Sequence, residues 1–227
     1  MTRSYPIRIT RWQLLRGGVF EYWKWLDSLP TLHYSNTPTL MRLPDPLLLG
    51  AIYGLSELYL AFTRRAAVRA TSRDRHSLVL LWAVIIVSFW LGVQMVWLVP
   101  GAAVPHRSGF YLIGFCFFLG GLILRWYSIG HLGRYFTVDV SISAEHRLID
   151  SGPYRFIRHP TYTGALLAFL GLGFCLGNWL SILFLTVPII GAFLRRVRIE
   201  ERALLGALGE QYRPYMHRTK RLVPFIY

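Results

Sequence analysis

Two polar clusters interrupt an otherwise apolar sequence, and their residue types suit the binding of a charged ligand that carries a ring. The first cluster reads LIDSGPYRFIRHPTYTG over residues 148–164 and combines phenols, an imidazole and guanidiniums. The second, residues 195–201, places arginines before Glu200 and Glu201. A carboxylate can bind an ammonium or hydroxyl groups, aromatic rings can stack on a base or contact a cation, and a guanidinium can orient an anion. Together these groups suit a zwitterionic, adenine-bearing ligand beside a carboxylate acceptor.

The step from His159 to Pro160 predicts the start of a helix at the end of the first cluster. Proline is favoured at the first position of a helix, where its missing N–H costs nothing, and His159 would then be the capping residue. The free N–H groups and the positive dipole end at such a position favour an anionic group nearby. Because His159 and Tyr162 are three residues apart, their side chains can face one pocket. We therefore expect a docking place for a carboxylate or an electron-rich group at the membrane surface.

The second cluster predicts a charged helix in which Arg196 and Glu200 share a face, since they are four residues apart. Glu200 could then bind an ammonium or hydroxyl groups of a ligand, while Arg196 would orient an anionic acceptor by a charge-assisted hydrogen bond. Arginine–glutamate pairs at this spacing are also common on solvated helix surfaces, and Gly-Pro steps are common in turns. The spacing alone leaves both interpretations open.

The elements that position these clusters are predicted to be membrane spans. Of the 227 residues, 54% are hydrophobic, a high share for a soluble domain of this length. The net charge of +14 fits basic loops that set topology and face anionic headgroups, and no nucleic-acid-binding motif accompanies it. Cys116 and Cys175 lie in apolar runs, and no Cys/His cluster has metal-ligand spacing. The sequence predicts an all-α, polytopic integral membrane protein with no metal and no nucleic-acid partner.

Five apolar runs predict about five transmembrane helices and divide the chain into three regions. Residues 1–45 mix cations with aromatics and form either a helix lying on the membrane or a poorly ordered arm with a linker. Residues 46–130 hold the first three spans. Residues 131–227 form the catalytic region, with the polar loop, a helical hairpin and a C-terminal helical segment. The five runs lie at about residues 46–62, 77–99, 109–129, 162–176 and 179–194.

Breaker residues predict how the last two spans are joined and where they end. Gly177 and Asn178 separate two apolar runs and predict a tight helical hairpin. Pro188 predicts a kink in its second arm, and Gly209 predicts the end of the charged helix that follows. Glycines in the third span predict close packing against another helix.

The distribution of arginines predicts the orientation of the spans. The loop after the first span, the first polar cluster and the C-terminal segment are basic and fall on one side if there are five spans. The loops around Gly101 and Gly177 fall on the other side and carry almost no charge. The positive-inside rule then places both clusters on the cytoplasmic face, and we expect a bacterial inner membrane. An even number of spans stays open, because the basic N-terminal arm would otherwise lie outside.

Two charged residues fall within predicted spans, where ionisable groups are functional candidates. We expect Glu57 to pair with Arg64 and Arg65, which lie within two turns of it. Arg125 is expected either to snorkel to the interface or to point into a polar site. Whether these two residues reach the site is left open at this point.

The segment from Arg125 to Tyr227 resembles the isoprenylcysteine carboxyl methyltransferase family and its relatives among phospholipid methyltransferases. Four motifs carry the resemblance, and they occur in order. They are G-P-Y followed by R-H-P-x-Y-x-G, then E-E-x-x-L, the spacing G-x-x-Y-x-x-Y, and a terminal L-x-P.

The resemblance implies a membrane enzyme that takes a methyl group from S-adenosylmethionine, without a Rossmann domain, for a lipophilic acceptor that enters from the bilayer. Arg196 matches the family's acceptor-side arginine, with Arg195 as the fallback if the register slips by one. His159 is the candidate base for a thiol or amine acceptor, whereas a carboxylate acceptor requires no base. The implied cofactor-binding residues are His146, Arg147, Leu148, Ile149, Tyr154, His159, Pro160, Thr161, Tyr162 and Glu200.

Three alternatives remain beside an isoprenylcysteine-like carboxylate as the acceptor. The first is a methyltransferase for a phospholipid amine or a small thiol. The second is a nicotinamide-dependent reductase like the membrane sterol reductases, which share an R-H-P-x-Y-x-G-like block. Those enzymes place Asn before the Tyr and an acidic residue after the Gly, where this chain has Thr161 and Ala165. The third is a non-enzymatic membrane protein that keeps the motif as structure.

Overall fold

The structure is a computed structural model that describes residues 44–63, 72–136 and 148–224. Six α-helices form within these ranges, and short 3₁₀ turns occur between or beside them. Apart from two isolated β-bridges, the described residues contain no strand, so the all-α class is confirmed. The predicted arm at residues 1–45 lies outside the described residues except for its last two positions. The helices are α1 Pro46–Thr63, α2 Ser72–Leu98, α3 Arg107–Leu132, α4 Pro160–Leu176, α5 Trp179–Leu208 and α6 Tyr212–Arg218.

The five predicted spans correspond to α1 through α5. By length and hydropathy, four described segments could cross a membrane, and α4 is a shorter apolar helix of 17 residues. The four segments are Pro46–Thr63, His76–Leu98, Arg107–Leu132 and Trp179–Arg218. Many of their apolar side chains are exposed, including Phe62, Trp90 and Ile123, as expected where lipid covers the outside.

Helix α4 occupies the centre of the bundle, and its small residues let α3 approach closely. Gly164, Gly171 and Ala168 of α4 face Gly121 and Gly114 of α3. A Cβ added at Gly164 would lie 2.6 Å from both the Gly121 carbonyl oxygen and the Arg125 backbone nitrogen. The backbones therefore touch in the way that small residues permit between membrane helices.

The predicted hairpin between α4 and α5 is present and is held by Asn178. Gly177 takes a left-handed conformation (φ 67°) that ends α4, and the Asn178 side chain accepts hydrogen bonds from Leu180 N and Ser181 N at the start of α5. The amide of Asn178 also donates to the carbonyls of Met95 and Val99, at the end of α2. One fully buried side chain thus caps α5 and ties the hairpin to α2.

Candidate active site

Helix α4 begins at Pro160 with His159 as its capping residue, as the sequence predicts. The His159 carbonyl accepts hydrogen bonds from the backbone N–H groups of Tyr162 (3.0 Å) and Thr163 (3.1 Å). The His159 side chain does not cap the helix and instead lies buried, 4% exposed, with its ring parallel to that of Tyr162 at 5.5 Å. The local turn therefore presents an imidazole and a phenol side by side.

These two rings meet the glutamates of α5. The Tyr162 hydroxyl donates to Glu200 Oε2 at 2.9 Å. The His159 imidazole lies between the two carboxylates, with Nδ1 3.6 Å from Glu200 Oε2 and Nε2 3.6 Å from Glu201 Oε1. Glu200 keeps 30% of its side chain exposed, whereas Glu201 keeps 5%. Glu200 is consequently the carboxylate of this cluster that a ligand could reach.

Arg196 lies one turn before Glu200 and faces the same cluster. It is only 2% exposed, and its Nη1 donates to the Ser77 hydroxyl of α2 at 3.2 Å. Its charge also lies close to the Tyr162 hydroxyl. The fallback residue Arg195 is exposed, so the helical register brings Arg196, and not Arg195, to the predicted site.

Tyr154 lies at the wall of the same region, on the 3₁₀ turn Gly152–Arg155. Its hydroxyl donates to the Ser128 carbonyl at 3.3 Å, and its own carbonyl accepts a hydrogen bond from the Tyr215 hydroxyl. Burial raises the pKa of Tyr154, and the nearby charge of Glu200 raises it further, so the phenol stays protonated at neutral pH. Tyr154 is therefore a fixed hydrogen-bond donor.

The remaining predicted cofactor residues take different positions. Pro160 and Thr161 are buried in the first turn of α4, and Leu148 and Ile149 are half-buried on the chain that leads to it. His146 and Arg147 lie outside the described residues. The structure thus brings His159, Tyr162 and Glu200 into contact beside Arg196. Thr161 adjoins them in the chain, and Tyr154 lies close to Glu200 and Tyr162.

Sequence analysis did not assign a role to Glu201, which is the centre of a buried charge network. Its Oε1 accepts from Arg158 Nε at 2.8 Å, and its Oε2 accepts from Arg221 Nε at 2.9 Å. Arg158 Nη1 continues to the carbonyls of Met216 (2.9 Å) and Thr219. Glu201 belongs to the E-E motif and Arg158 to the R-H-P motif, so the sequence marks both residues. No local pattern predicts that their side chains contact each other.

The same network holds residues 219–222, here called the C-terminal strap, against the start of α4. The backbone N–H of Arg158 donates to the Lys220 carbonyl at 2.7 Å, and that of His159 donates to the Arg221 carbonyl at 3.0 Å. The Thr163 hydroxyl donates to the Leu222 carbonyl at 2.6 Å. The cap of α4 is thus fixed by a segment about sixty residues later in the chain.

Glu57 and Arg125 form a second buried pair. Both Glu57 oxygens accept hydrogen bonds from Arg125, which is 7% exposed and points inward. Of the two expectations for Arg125, the inward orientation is the observed one. The expected partners of Glu57, Arg64 and Arg65, lie outside the described residues, and Arg125 takes both carboxylate oxygens in their place.

Residues 112–206 match the family model described as the isoprenylcysteine carboxyl methyltransferase (ICMT) family. The resemblance read from the sequence motifs is confirmed. The matched residues include α4 and most of α5, and hence His159, Tyr162, Arg196 and Glu200.

Curated relatives agree with this family match. Protein-S-isoprenylcysteine O-methyltransferase B of Arabidopsis thaliana is 36% identical over 108 residues, which are 47% of this chain and 55% of that protein. The protein-S-isoprenylcysteine O-methyltransferase of Tribolium castaneum is 34% identical over 116 residues, 50% of this chain and 41% of that protein. The match with the first of these relatives thus spans only about half of its length. Both relatives are eukaryotic, so they give no support to a bacterial inner membrane.

A solved structure shows the same fold. The eukaryotic intramembrane Ras methyltransferase ICMT superposes with a TM-score of 0.57 over 82% of this chain and 70% of that chain, at 24% sequence identity. The polytopic helical fold predicted from the sequence is therefore shared with that solved structure.

Proposed function

We propose that this chain is a membrane methyltransferase that uses S-adenosylmethionine to methylate the carboxylate of a lipophilic, isoprenylcysteine-like acceptor. The observation that carries the proposal is the cluster of His159, Tyr162 and Glu200 beside the buried Arg196, within the segment that matches the ICMT family. This cluster combines an accessible carboxylate with stacked rings and a guanidinium.

The residues of the cluster fit the proposed cofactor. The partly exposed Glu200 can bind an ammonium or ribose hydroxyls, and the parallel rings of His159 and Tyr162 offer an aromatic face to a base or a sulfonium. His159 Nε2 is buried and faces Glu201 Oε1 at 3.6 Å, so the imidazole is held between the two carboxylates while Glu200 stays open to a ligand. When bound, S-adenosylmethionine would supply a methyl group already activated by its sulfonium.

The protein's own residues then have two tasks, to align the acceptor and to exclude water. Arg196 would orient the acceptor carboxylate through a charge-assisted hydrogen bond, and Tyr162 would hold Glu200 in place. A carboxylate is already ionised at neutral pH, so no residue has to remove a proton from it. We propose that the acceptor enters from the bilayer, and that the cluster faces the cytoplasm because the basic segments lie at the same end of the spans.

Cofactor binding is the first test. We expect the detergent-purified protein to bind S-adenosylmethionine in calorimetry, and Glu200→Ala and His159→Ala to weaken binding by about tenfold or more, as loss of a charged hydrogen bond would. Glu210→Ala is the matched control, because that carboxylate is 88% exposed and pairs only with Arg213 among the described residues. Wild-type protein that binds a nicotinamide cofactor instead would replace the proposal with the reductase.

The acceptor is tested with labelled cofactor and three probes: an S-farnesylcysteine derivative with a free carboxylate, its preformed methyl ester, and phosphatidylethanolamine vesicles. We expect alkali-labile label, released as methanol, with the free carboxylate only. Alkali-stable label on the phospholipid would identify an amine methyltransferase. Arg196→Lys should raise the KM of the carboxylate acceptor by about tenfold, because an ammonium does not reproduce the planar fork of a guanidinium.

A further inference from the structure

One buried ion pair joins α1 to α3. Arg125 Nε donates to Glu57 Oε1 at 2.6 Å, and Arg125 Nη2 donates to Glu57 Oε2 at 2.7 Å. The Arg125 and Glu57 side chains are 8% and 9% exposed, within predominantly apolar helices. The Tyr53 ring lies one turn before Glu57 and is also buried. The ion pair is therefore bidentate and shielded from solvent.

The third nitrogen of the same guanidinium reaches the candidate active site. Arg125 Nη1 donates to the Thr161 carbonyl, in the first turn of α4, at 3.1 Å. The position of Arg125 is set by the close contact of its backbone with Gly164, one turn further along α4. A single planar group thus fixes α1, α3 and the first turn of α4 relative to one another.

Stability alone does not account for this arrangement. Charged groups are costly inside a membrane, and a buried ion pair can often be replaced by apolar residues of similar volume without loss of stability. What an apolar pair cannot provide is a charge-assisted donor to the Thr161 carbonyl. That carbonyl lies between His159 and Tyr162 in the chain, the two residues that meet the glutamates of α5.

We infer that Glu57 and Arg125 are positioning residues for the cofactor pocket. Glu57 neutralises and orients the Arg125 guanidinium, and Arg125 fixes the turn from His159 to Tyr162 through the Thr161 carbonyl. The ring of Tyr162 is thereby held where its hydroxyl binds Glu200. This inference rests on the proposed function for its effect on cofactor affinity, but the fixing of the turn is a property of the protein alone.

Two double variants separate positioning from stability. Glu57→Arg with Arg125→Glu restores an ion pair but places a carboxylate opposite the Thr161 carbonyl. Glu57→Leu with Arg125→Met removes both charges and leaves an apolar contact. The control is Ser181→Ala, which removes a buried interhelical hydrogen bond to the Gly92 carbonyl at the other end of the bundle. The single variants are not used, because each leaves one buried charge without its partner.

Three quantities are measured on the full-length protein in detergent. They are the thermal unfolding midpoint, the hydrogen-exchange rates of the Tyr162 and Thr163 amides, and the Kd for S-adenosylmethionine. Both amides donate to the His159 carbonyl, so their exchange reports on the turn. In both double variants we expect an unfolding midpoint no lower than that of Ser181→Ala. We also expect hydrogen exchange at the two amides to become faster by about tenfold or more. The Kd should rise by about ten- to hundredfold, which is the range for a lost hydrogen bond to a charged group. Ser181→Ala should leave exchange at the turn and the Kd unchanged.

The outcomes distinguish this inference from the proposed function. Unchanged amide exchange in both double variants would overturn the positioning role, whatever the cofactor affinity. Faster exchange with an unchanged Kd would overturn the link to the pocket. If the double variants exchange faster but the wild-type protein binds no S-adenosylmethionine, the fixing of the turn is supported and the proposed function is rejected.

Discussion

Glu201 is the carboxylate that balances two arginine charges beside the site. Each of its oxygens accepts from a different arginine, Arg158 or Arg221, and Arg158 is itself 7% exposed. Glutamine at this position keeps one acceptor oxygen but turns an NH₂ group toward the other guanidinium. We expect Glu201→Gln to lower the free energy of unfolding by about 3 kcal/mol, the lower end for breaking a buried ion pair. Thermal unfolding in detergent, at one fixed scan rate, measures the change.

The control for this prediction is Glu210→Gln on the surface. Glu210 is 88% exposed and pairs with Arg213 one turn away, so we expect a change within about 0.5 kcal/mol. Equal unfolding midpoints for the two variants would show that the Glu201 network does not hold the C-terminal strap.

At the same scale, the sequence reveals partners that are near in the chain and misses those that are distant. Helical spacing pairs His159 with Tyr162 and Arg196 with Glu200. The first two rings stack, and the second two residues both approach Tyr162. Glu57 and Arg125 are 68 positions apart, and Arg158 and Glu201 are 43 apart. Their contacts depend on which helix faces pack together, and a single sequence contains no signal for that.

The contact between α3 and α4 depends on which glycines of α3 face the partner helix. A Cβ at Gly121 would lie 2.6 Å from Ala168 N, whereas a Cβ at Gly120 would meet nothing within 4 Å. Both residues lie within α3, so alanine gives each the same gain in helix propensity. We therefore expect Gly121→Ala to be roughly 2 kcal/mol less stable than Gly120→Ala, as is usual for overpacking. Unfolding midpoints of the two variants measure this difference directly.

The same pair of variants tests how the elements support the site. Gly121 lies one turn before Arg125, so pushing α3 away from α4 should also draw the guanidinium from the Thr161 carbonyl. Weaker cofactor binding in Gly121→Ala than in Gly120→Ala is the expected result. If Gly120→Ala were the more damaging of the two, the assignment of the packed face would be incorrect.

Helix boundaries were the most predictable feature at the scale of elements. Pro160 begins α4, Gly177 and Asn178 form the hairpin, and Gly209 follows the last residue of α5, each as the sequence predicts. These signals are local, because proline, glycine and asparagine act through their own backbone geometry. The sequence did not predict that the C-terminal strap packs beside His159, since strap residues form no regular element and their partners are remote.

For the molecule as a whole, the charges at the two ends of the bundle predict its orientation in the membrane. The end that holds the site carries the exposed arginines Arg195, Arg198, Arg202 and Arg213. The opposite end, at the turn Pro100–Ala102 and the Gly177–Asn178 hairpin, has no charged residue in either turn. The positive-inside rule therefore predicts that the site end faces the cytoplasm.

Single cysteines at the two ends test this orientation in intact cells. With Cys116 and Cys175 replaced by alanine, Gly101→Cys and Arg213→Cys each present one thiol at an exposed position, and a Cβ at Gly101 meets no neighbour within 4 Å. We expect a membrane-impermeant maleimide to label Gly101→Cys in intact cells and Arg213→Cys only after permeabilisation. Labelling in the reverse order would place the site outside the cell. Because S-adenosylmethionine is made inside cells, that result would also contradict the proposed methyltransferase, whereas the expected order would place the site on the side where the cofactor is made.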